Sequence, residues 1–379
     1  MTMVLNEEQQ LLKDTAREFL AGNAPVEQLR DLRDRRDAQG YSGALWQQMG
    51  ELGWAGIVLP EEYGGLEFGY LGLGAVLEET GRTLAASPLL SSTVLGASAI
   101  LLGGSNAQKE ATLPAVAAGT LKLALAVDEK PHHDPVDIAL EAKPSAGGFT
   151  LSGRKVFVVD GHTADQIVVA ARTTGSPGDR AGITLFLVPA DLDGLQVQRT
   201  QMVDSRNAAN LVFKDVAVAE DAVIGEVGEG WATLEATLDR GRIALAAEML
   251  GSCQEAFDRT VSYLKEREQF GRKIGSFQAL QHRASKMFIE LELCRSVVLQ
   301  ALSAIDESPD QVPLLASLAK ARLNEAARLI SNEAVQMHGG IGVTDEFEIG
   351  FFLKRARVTM QLLGDRGYHK DRYATLCGY

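Results

Sequence analysis

The hydrophobic rhythm of this chain changes twice, and those two changes limit its fold more than any single residue does. Up to about Leu121 the apolar residues recur at helical spacing: within Glu7 to Leu20, Leu11, Leu12, Ala16, Phe19 and Leu20 share one side. Trp46, Met49 and Leu52 continue the pattern until Pro60 and the Gly64-Gly65 pair impose a loop. Helical stretches are expected again over Leu71 to Thr83 and Ser92 to Leu102. From Leu123 the segments become short and rich in Val, Ile, Phe and Thr ("LALAV", "FTLSGRKVFVV", "QIVVAAR", "ITLFLVP", "ANLVFKDVAV"), with Gly, Pro, Asp and Ser between them. The Gly-Gly pair of "SAGGFTL" suits a hairpin turn. After Gly230 long helical patterns return, over Trp231 to Arg267, Phe277 to Asp306, Val312 to His338 and Phe347 to Leu363. The expected fold is therefore α+β: an N-terminal helical domain (1–121), a middle antiparallel β domain, sandwich or barrel (122–228), and a C-terminal four-helix bundle (229–379).

A chain of 379 residues exceeds one ordinary core, which agrees with two or three domains. Its net charge of -13 repels nucleic acid and anionic membranes, so a phosphate-bearing ligand must be held by local arginines or backbone amides. No run of eighteen apolar residues occurs, and the first twenty residues lack the blocks of a signal peptide, so a soluble, cytoplasmic protein is expected. Cys253, Cys294 and Cys377 are too scattered for a disulfide framework or thiolate metal site. The His132-His133 pair offers no second ligand at helical spacing, so no metal is assigned.

Two segments carry possible binding chemistry. In "YLKEREQFGRKIGSFQALQHR" (Tyr263 to Arg283) a helix bearing Lys265, Glu266 and Arg267 breaks at Gly271, and another begins with Gln278 and Gln281 in its first turns. Arg267 and Arg272 offer forked donors and the new helix offers unpaired amides, so the corner could hold a pyrophosphate; a plain helix corner with surface charges is the alternative. In "EAVQMHGGIGV" the Gly339-Gly340 pair permits close backbone approach and Gln336 supplies both donor and acceptor, although a glycine helix stop gives the same letters.

Together these stretches closely resemble the signatures of the acyl-CoA dehydrogenase family. "GWAGIVLPEEYGGLEFGYL" (Gly53 to Leu71) resembles the family's N-terminal loop, "IGEVGEGWATLEATLDRGRIALAAEMLG" the start of its third domain, and "EAVQMHGGIGVTDEFEIGFFLKRAR" (Glu333 to Arg357) its flavin-contacting turn. The resemblance spans essentially the whole chain in order. It implies the helix, β, helix architecture and FAD as cofactor. Arg267, Phe270, Gln278, Gln336, Gly339 and Gly340 would hold the ADP half of FAD, with the 336–340 segment supplied by another subunit. It also implies an acyl-CoA substrate, electron-transfer flavoprotein as acceptor and a tetrameric assembly.

The middle domain departs from the family pattern. The usual Thr-Glu-Pro loop is replaced by "AVDEKPHHDPVDI", with Asp128 and Glu129 near the expected Thr and Glu. The Trp-Ile-Thr of the flavin face becomes Phe157, Val158 and Val159, which keeps an aromatic platform and loses a hydroxyl. Asp128 and Val159 are the cofactor-side candidates there. The family's catalytic Glu position falls on Leu363, and its second base position falls on Gly241. One residue on, Asp365 is a candidate base and equally a candidate N-cap for "RGYHKDRYATL". Arg242 matches an arginine near the family's active-site wall. The "GDxxYH" ending and "RGR" helix resemble a branch described as pimeloyl-CoA dehydrogenase small subunits, related to chains in dicarboxylic, aromatic or steroid side-chain breakdown. That implies an α2β2 tetramer with a larger sister subunit, a homotetramer being the other option. Three functions stay open: a dehydrogenase forming an α,β double bond, a partner subunit that lacks its own base, and a flavin oxidase or monooxygenase on the same fold.

Overall fold

The computed structural model describes residues 4–379. Its helices are α1 (Glu7–Asn23), α2 (Val26–Asp34), α3 (Gly43–Glu51), α4 (Gly69–Thr83), α5 (Ala97–Gly103), α6 (Asn106–Ala117), α7 (Trp231–Glu266), α8 (Gln278–Glu307), α9 (Val312–His338), α10 (Ile349–Thr359) and α11 (Arg366–Leu376). The strands are β1 (Leu123–Ala126), β2 (Glu141–Ser145), β3 (Gly148–Val159), β4 (Gln166–Arg172), β5 (Ile183–Pro189), β6 (Leu195–Gln201), β7 (Asn207–Ala219), β8 (Val223–Ile224) and a two-residue pair, β9 (Glu268–Gln269) and β10 (Arg272–Lys273). The architecture is the expected one, helices, then a β domain, then helices. By contact the chain divides into two compact units, 1–34 with 70–86 and 242–379, and 35–69 with 87–241.

The second unit is built around one sheet in the order β6-β7-β3-β2-β4-β5-β8, with β1 added beside β4. Most pairs are antiparallel, but β1 and β2 each meet β4 in parallel. The inward faces of these strands form a core of Phe149, Leu151, Ile167, Val169, Phe186, Leu211 and Phe213 among others. The expected hairpin exists and its turn is Ala146-Gly147, with Gly147 at φ +81°. Gly148 opens β3 where a Cβ would lie 2.0 Å from the Val218 carbonyl oxygen, so the second glycine serves close strand approach. Of the strands missing from the sequence analysis, β2 and β6 are mainly solvent-facing and polar, which removes the apolar alternation that reveals a strand, and β8, β9 and β10 are only two residues long. The helix expected over Ser92 to Leu102 opens earlier, as a fully buried π-helix at Leu89–Gly96 that runs into α5.

The first unit packs α1, α2 and α4 with the bundle helices α7 to α11. Helices α4 and α7 touch through glycines: a Cβ on Gly81 would lie 2.0 Å from the Glu248 carbonyl oxygen, and one on Gly251 would lie 1.7 Å from that of Glu78. Charge is buried here in pairs. Arg355 on α10 meets Glu248 on α7 at 2.7 Å with both side chains 4% exposed, and Lys13 meets Glu78 at 2.5 Å. No helix among the described residues is long and apolar enough to cross a membrane.

Candidate active site

Helix α10 ends at Thr359, and the chain turns through Met360 to Gly364 before α11 begins. Leu363 is buried and sits at φ +58°, a left-handed conformation costly for a branched residue, and Gly364 follows at φ +111°. Buried donors hold the turn in that shape. Arg242, 1% exposed, donates from Nε to the Leu363 carbonyl oxygen at 3.2 Å, and His369 Nε2 lies 3.0 Å from the same oxygen. Lys320, wholly buried on α9, reaches the Gly364 carbonyl oxygen at 3.3 Å, the Thr359 carbonyl oxygen at 2.7 Å and Asn324 Oδ1 at 3.0 Å. Arg242 Nη2 also donates to the Tyr368 hydroxyl at 2.9 Å, and its guanidinium lies 5.3 Å from that ring's centre.

Asp365 is the N-cap of α11, with Oδ1 accepting the Tyr368 amide proton at 2.8 Å. Its Oδ2 accepts no hydrogen bond within the described chain, and the residue is only half-buried. Capping therefore uses one carboxylate oxygen and leaves the other available, so the two candidate roles are compatible. The structure brings Asp365 and Arg242 to one turn, while Leu363 and Gly241 supply no carboxylate. Burial pushes the Lys320 ammonium well below its ordinary range; Arg242 adds to this and Asp365 opposes it. Lys320 and Asn324 were not singled out in the sequence, whereas Tyr368 and His369 entered only as the last two letters of the "GDxxYH" ending, with no role assigned. The available signal was a lysine on the apolar stripe of α9, in step with the buried Ala316, Leu323 and Ala327.

The segments expected to meet the cofactor lie together at one end of this unit. Tyr263, four residues before Arg267, stacks on His338, the neighbour of Gly339, with ring centres 4.5 Å apart. Between β9 and β10 the turn residues Phe270 and Gly271 have φ +54° and +72°, the signature of a tight mirror-image turn. Phe270 is 91% exposed, so this strained position presents an aromatic ring to solvent without stabilising the chain's own core. Arg267, Gln278 and Gln336 are exposed, and their side chains form no hydrogen bond among the described residues. Gly339 has φ +65°, and a Cβ on Gly340 would meet nothing within 4 Å, so the backbone there faces open space. Unpaired forked and amide donors beside bare glycine backbone fit a dinucleotide cofactor.

In the other unit the substituted loop is held by its own charges. Glu129 accepts the Ala139 and Leu140 amides at 2.9 and 3.0 Å and pairs with the fully buried Lys155 at 2.7 Å. The Lys155 ammonium is lowered by burial, with Glu129 opposing the shift. Both carboxylate oxygens of Asp128 lie 3.0 Å from His133 Nδ1, so the side chain of this cofactor candidate is already engaged. Phe157 stands 42% exposed at φ +60° on a bulge of β3, with Val158 buried and Val159 half-buried beside it.

The whole chain is matched by known proteins in the same order. Residues 6–120 match the acyl-CoA dehydrogenase N-terminal domain, 131–216 the middle domain and 228–375 the C-terminal domain. Mitochondrial isovaleryl-CoA dehydrogenase of Pongo abelii is 32% identical over 367 residues, covering 93% of this chain and 85% of its own. The chain belongs to the acyl-CoA dehydrogenase family. Butyryl-CoA dehydrogenase from Megasphaera elsdenii superposes with a TM-score of 0.91 at 27% identity over 100% of both chains. A chain of the ChsE4-ChsE5 complex from Mycobacterium tuberculosis superposes with a TM-score of 0.90 at 26% identity, covering 100% of this chain and 99% of that one. This acyl-CoA dehydrogenase homologue is accordingly an oxidoreductase, and its cofactor is FAD.

Proposed function

We propose that the protein oxidises an acyl-CoA thioester between its α and β carbons, with Asp365 as the base that takes the α-proton. The observation that carries this reading is the free Oδ2 of Asp365, on a turn whose shape is enforced by Arg242, Lys320 and His369. A base must be held in place while keeping a lone pair free, and this carboxylate meets both conditions. FAD, when bound, supplies the acceptor for the hydride leaving the β-carbon. Arg267, Phe270, Gln278, Gln336, Gly339 and Gly340 would hold its ADP half, and Phe157 and Val159 would face its ring system, with Asp128 acting through the loop it fixes. Arg242 would orient Asp365 through the Leu363 carbonyl and Tyr368. Electron-transfer flavoprotein is the expected acceptor of the electrons.

A second reading is favoured by Leu363 and Gly241, which leave both usual base positions empty of carboxylate: the chain serves as partner to a sister subunit. Phe288, Ile289 and Leu293, each at least half exposed on α8, offer an apolar face for assembly as a tetramer of either kind. One experiment separates the readings. The purified chain is titrated anaerobically with butyryl-, isovaleryl- and 3-phenylpropionyl-CoA while its flavin absorbance is followed, with Asp365→Asn alongside. Asn keeps the cap and cannot take a proton. Bleaching by one ester that Asp365→Asn abolishes supports the first reading. A response that appears only after a sister subunit is added, and survives Asp365→Asn, supports the second.

A further inference from the structure

Lys320 is the least expected residue of the first unit. Helix α9 buries Ala316, Ala319, Leu323 and Ala327 around it, so a side chain of ordinary apolar volume would pack there without desolvating an amine. The amine instead finds three oxygen acceptors, the carbonyls of Thr359 and Gly364 and the side chain of Asn324, one for each proton of an ammonium. Asn324 reinforces the same point, with Nδ2 3.4 Å from the Gly364 oxygen. That oxygen belongs to the peptide group whose nitrogen is Asp365's own. Holding it fixes the plane from which the Asp365 side chain departs, while Arg242 and His369 fix the preceding peptide.

We propose that Lys320 is a positioning residue that clamps the Gly364-Asp365 peptide between α9 and the end of α10 and thereby aims the Asp365 carboxylate. The inference rests on Asp365 being the base. A lysine used for this purpose explains why a costly buried amine reaches backbone oxygens on both sides of the turn. Misplacing a catalytic group by about 1 Å costs on the order of a hundredfold in rate, so the clamp acts on kcat before it acts on substrate affinity.

The test compares Lys320→Met, Asp365→Asn and the double variant as FAD-loaded proteins. Turnover of the ester that bleaches the flavin is followed with dichlorophenolindophenol, and amide hydrogen exchange is measured over residues 360–369. Lys320→Met is expected to lower kcat by roughly 10- to 100-fold with KM within about twofold, and to speed exchange in 360–369 while α7 and α9 stay protected. In the Asp365→Asn background the same substitution is expected to change the residual rate by less than about twofold, because the carboxylate it aims is gone. If Lys320→Met leaves kcat intact, or lowers it equally in both backgrounds, the positioning role is wrong and Asp365 remains the base. If Asp365→Asn keeps the wild-type kcat, the base assignment falls and the positioning role falls with it. Should Lys320→Met fail to fold, Asn324→Ala loosens the same carbonyl and is judged by the same comparison.

Discussion

Replacing Gly364 by alanine tests the geometry of the turn directly. At φ +111° the backbone lies outside the regions open to side-chain-bearing residues, which costs about 1–3 kcal/mol. The new Cβ would also lie 2.6 Å from Tyr368 Cδ1 and 2.7 Å from His369 Nε2, against ordinary contacts of 3.4 Å or more. Both rings stand on the first turn of α11, and His369 is wholly buried, so they cannot swing aside independently. Relief needs α11 to move by several tenths of an ångström away from the turn, and overpacking of this kind adds about 1–3 kcal/mol. The expected loss is therefore about 2–6 kcal/mol, read as a lowered denaturant midpoint. The shift breaks the Asp365 to Tyr368 cap and moves the carboxylate, so kcat should fall by about a hundredfold even at temperatures where the variant is fully folded. A Gly364→Ala protein with unchanged midpoint, or with normal kcat at a lowered midpoint, would refute the reasoning. The first outcome would mean the turn tolerates a side chain, and the second that α11 does not position the base.

Other consequences are open to measurement. Arg355→Met should cost about 3–5 kcal/mol by leaving Glu248 buried without its cation, whereas the double variant Glu248→Leu with Arg355→Met should recover most of that loss in a urea titration. The Cys253 and Cys294 thiols are buried and pushed upward by burial, Cys294 to about 12, while Cys377 is exposed. An aromatic disulfide reagent at pH 8 should therefore label one thiol of the native protein and all of them after denaturation. Asp345 is gripped by Nη1 and Nη2 of Arg33 at 2.6 and 2.7 Å, which lowers its carboxyl to about 2. A folded value below the unfolded one means the pair stabilises the fold above about pH 4 and loses that contribution as pH falls toward 2. Because Asp345 is largely exposed the effect should stay below about 1 kcal/mol, and the gap between wild type and Asp345→Asn should close in high salt.

The sequence by itself determined the order of architectures, since a switch from 3.6-residue to 2-residue periodicity needs no knowledge of what packs against what. It also placed α9 and α11 at their observed limits, because Pro313, Gly339, Gly364 and the capping Asp365 act within a few residues of themselves. Polar β2 and β6 escaped it because a strand that faces solvent carries no apolar alternation, and the π-helix escaped it because its wider winding is not a composition. The candidate site was legible only at its two ends. Asp365 announced itself by following Gly364, whereas only the structure shows that capping the Tyr368 amide engages one carboxylate oxygen, so that the cap leaves room for the proposed base role. Lys320 and Asn324 lie about forty residues upstream, and nothing local to α9 says that their donors converge on the Gly364 carbonyl. That convergence is a property of how α9, α10 and α11 pack. Only the tertiary structure could decide that a buried amine and a buried guanidinium would hold the turn from which the carboxylate projects.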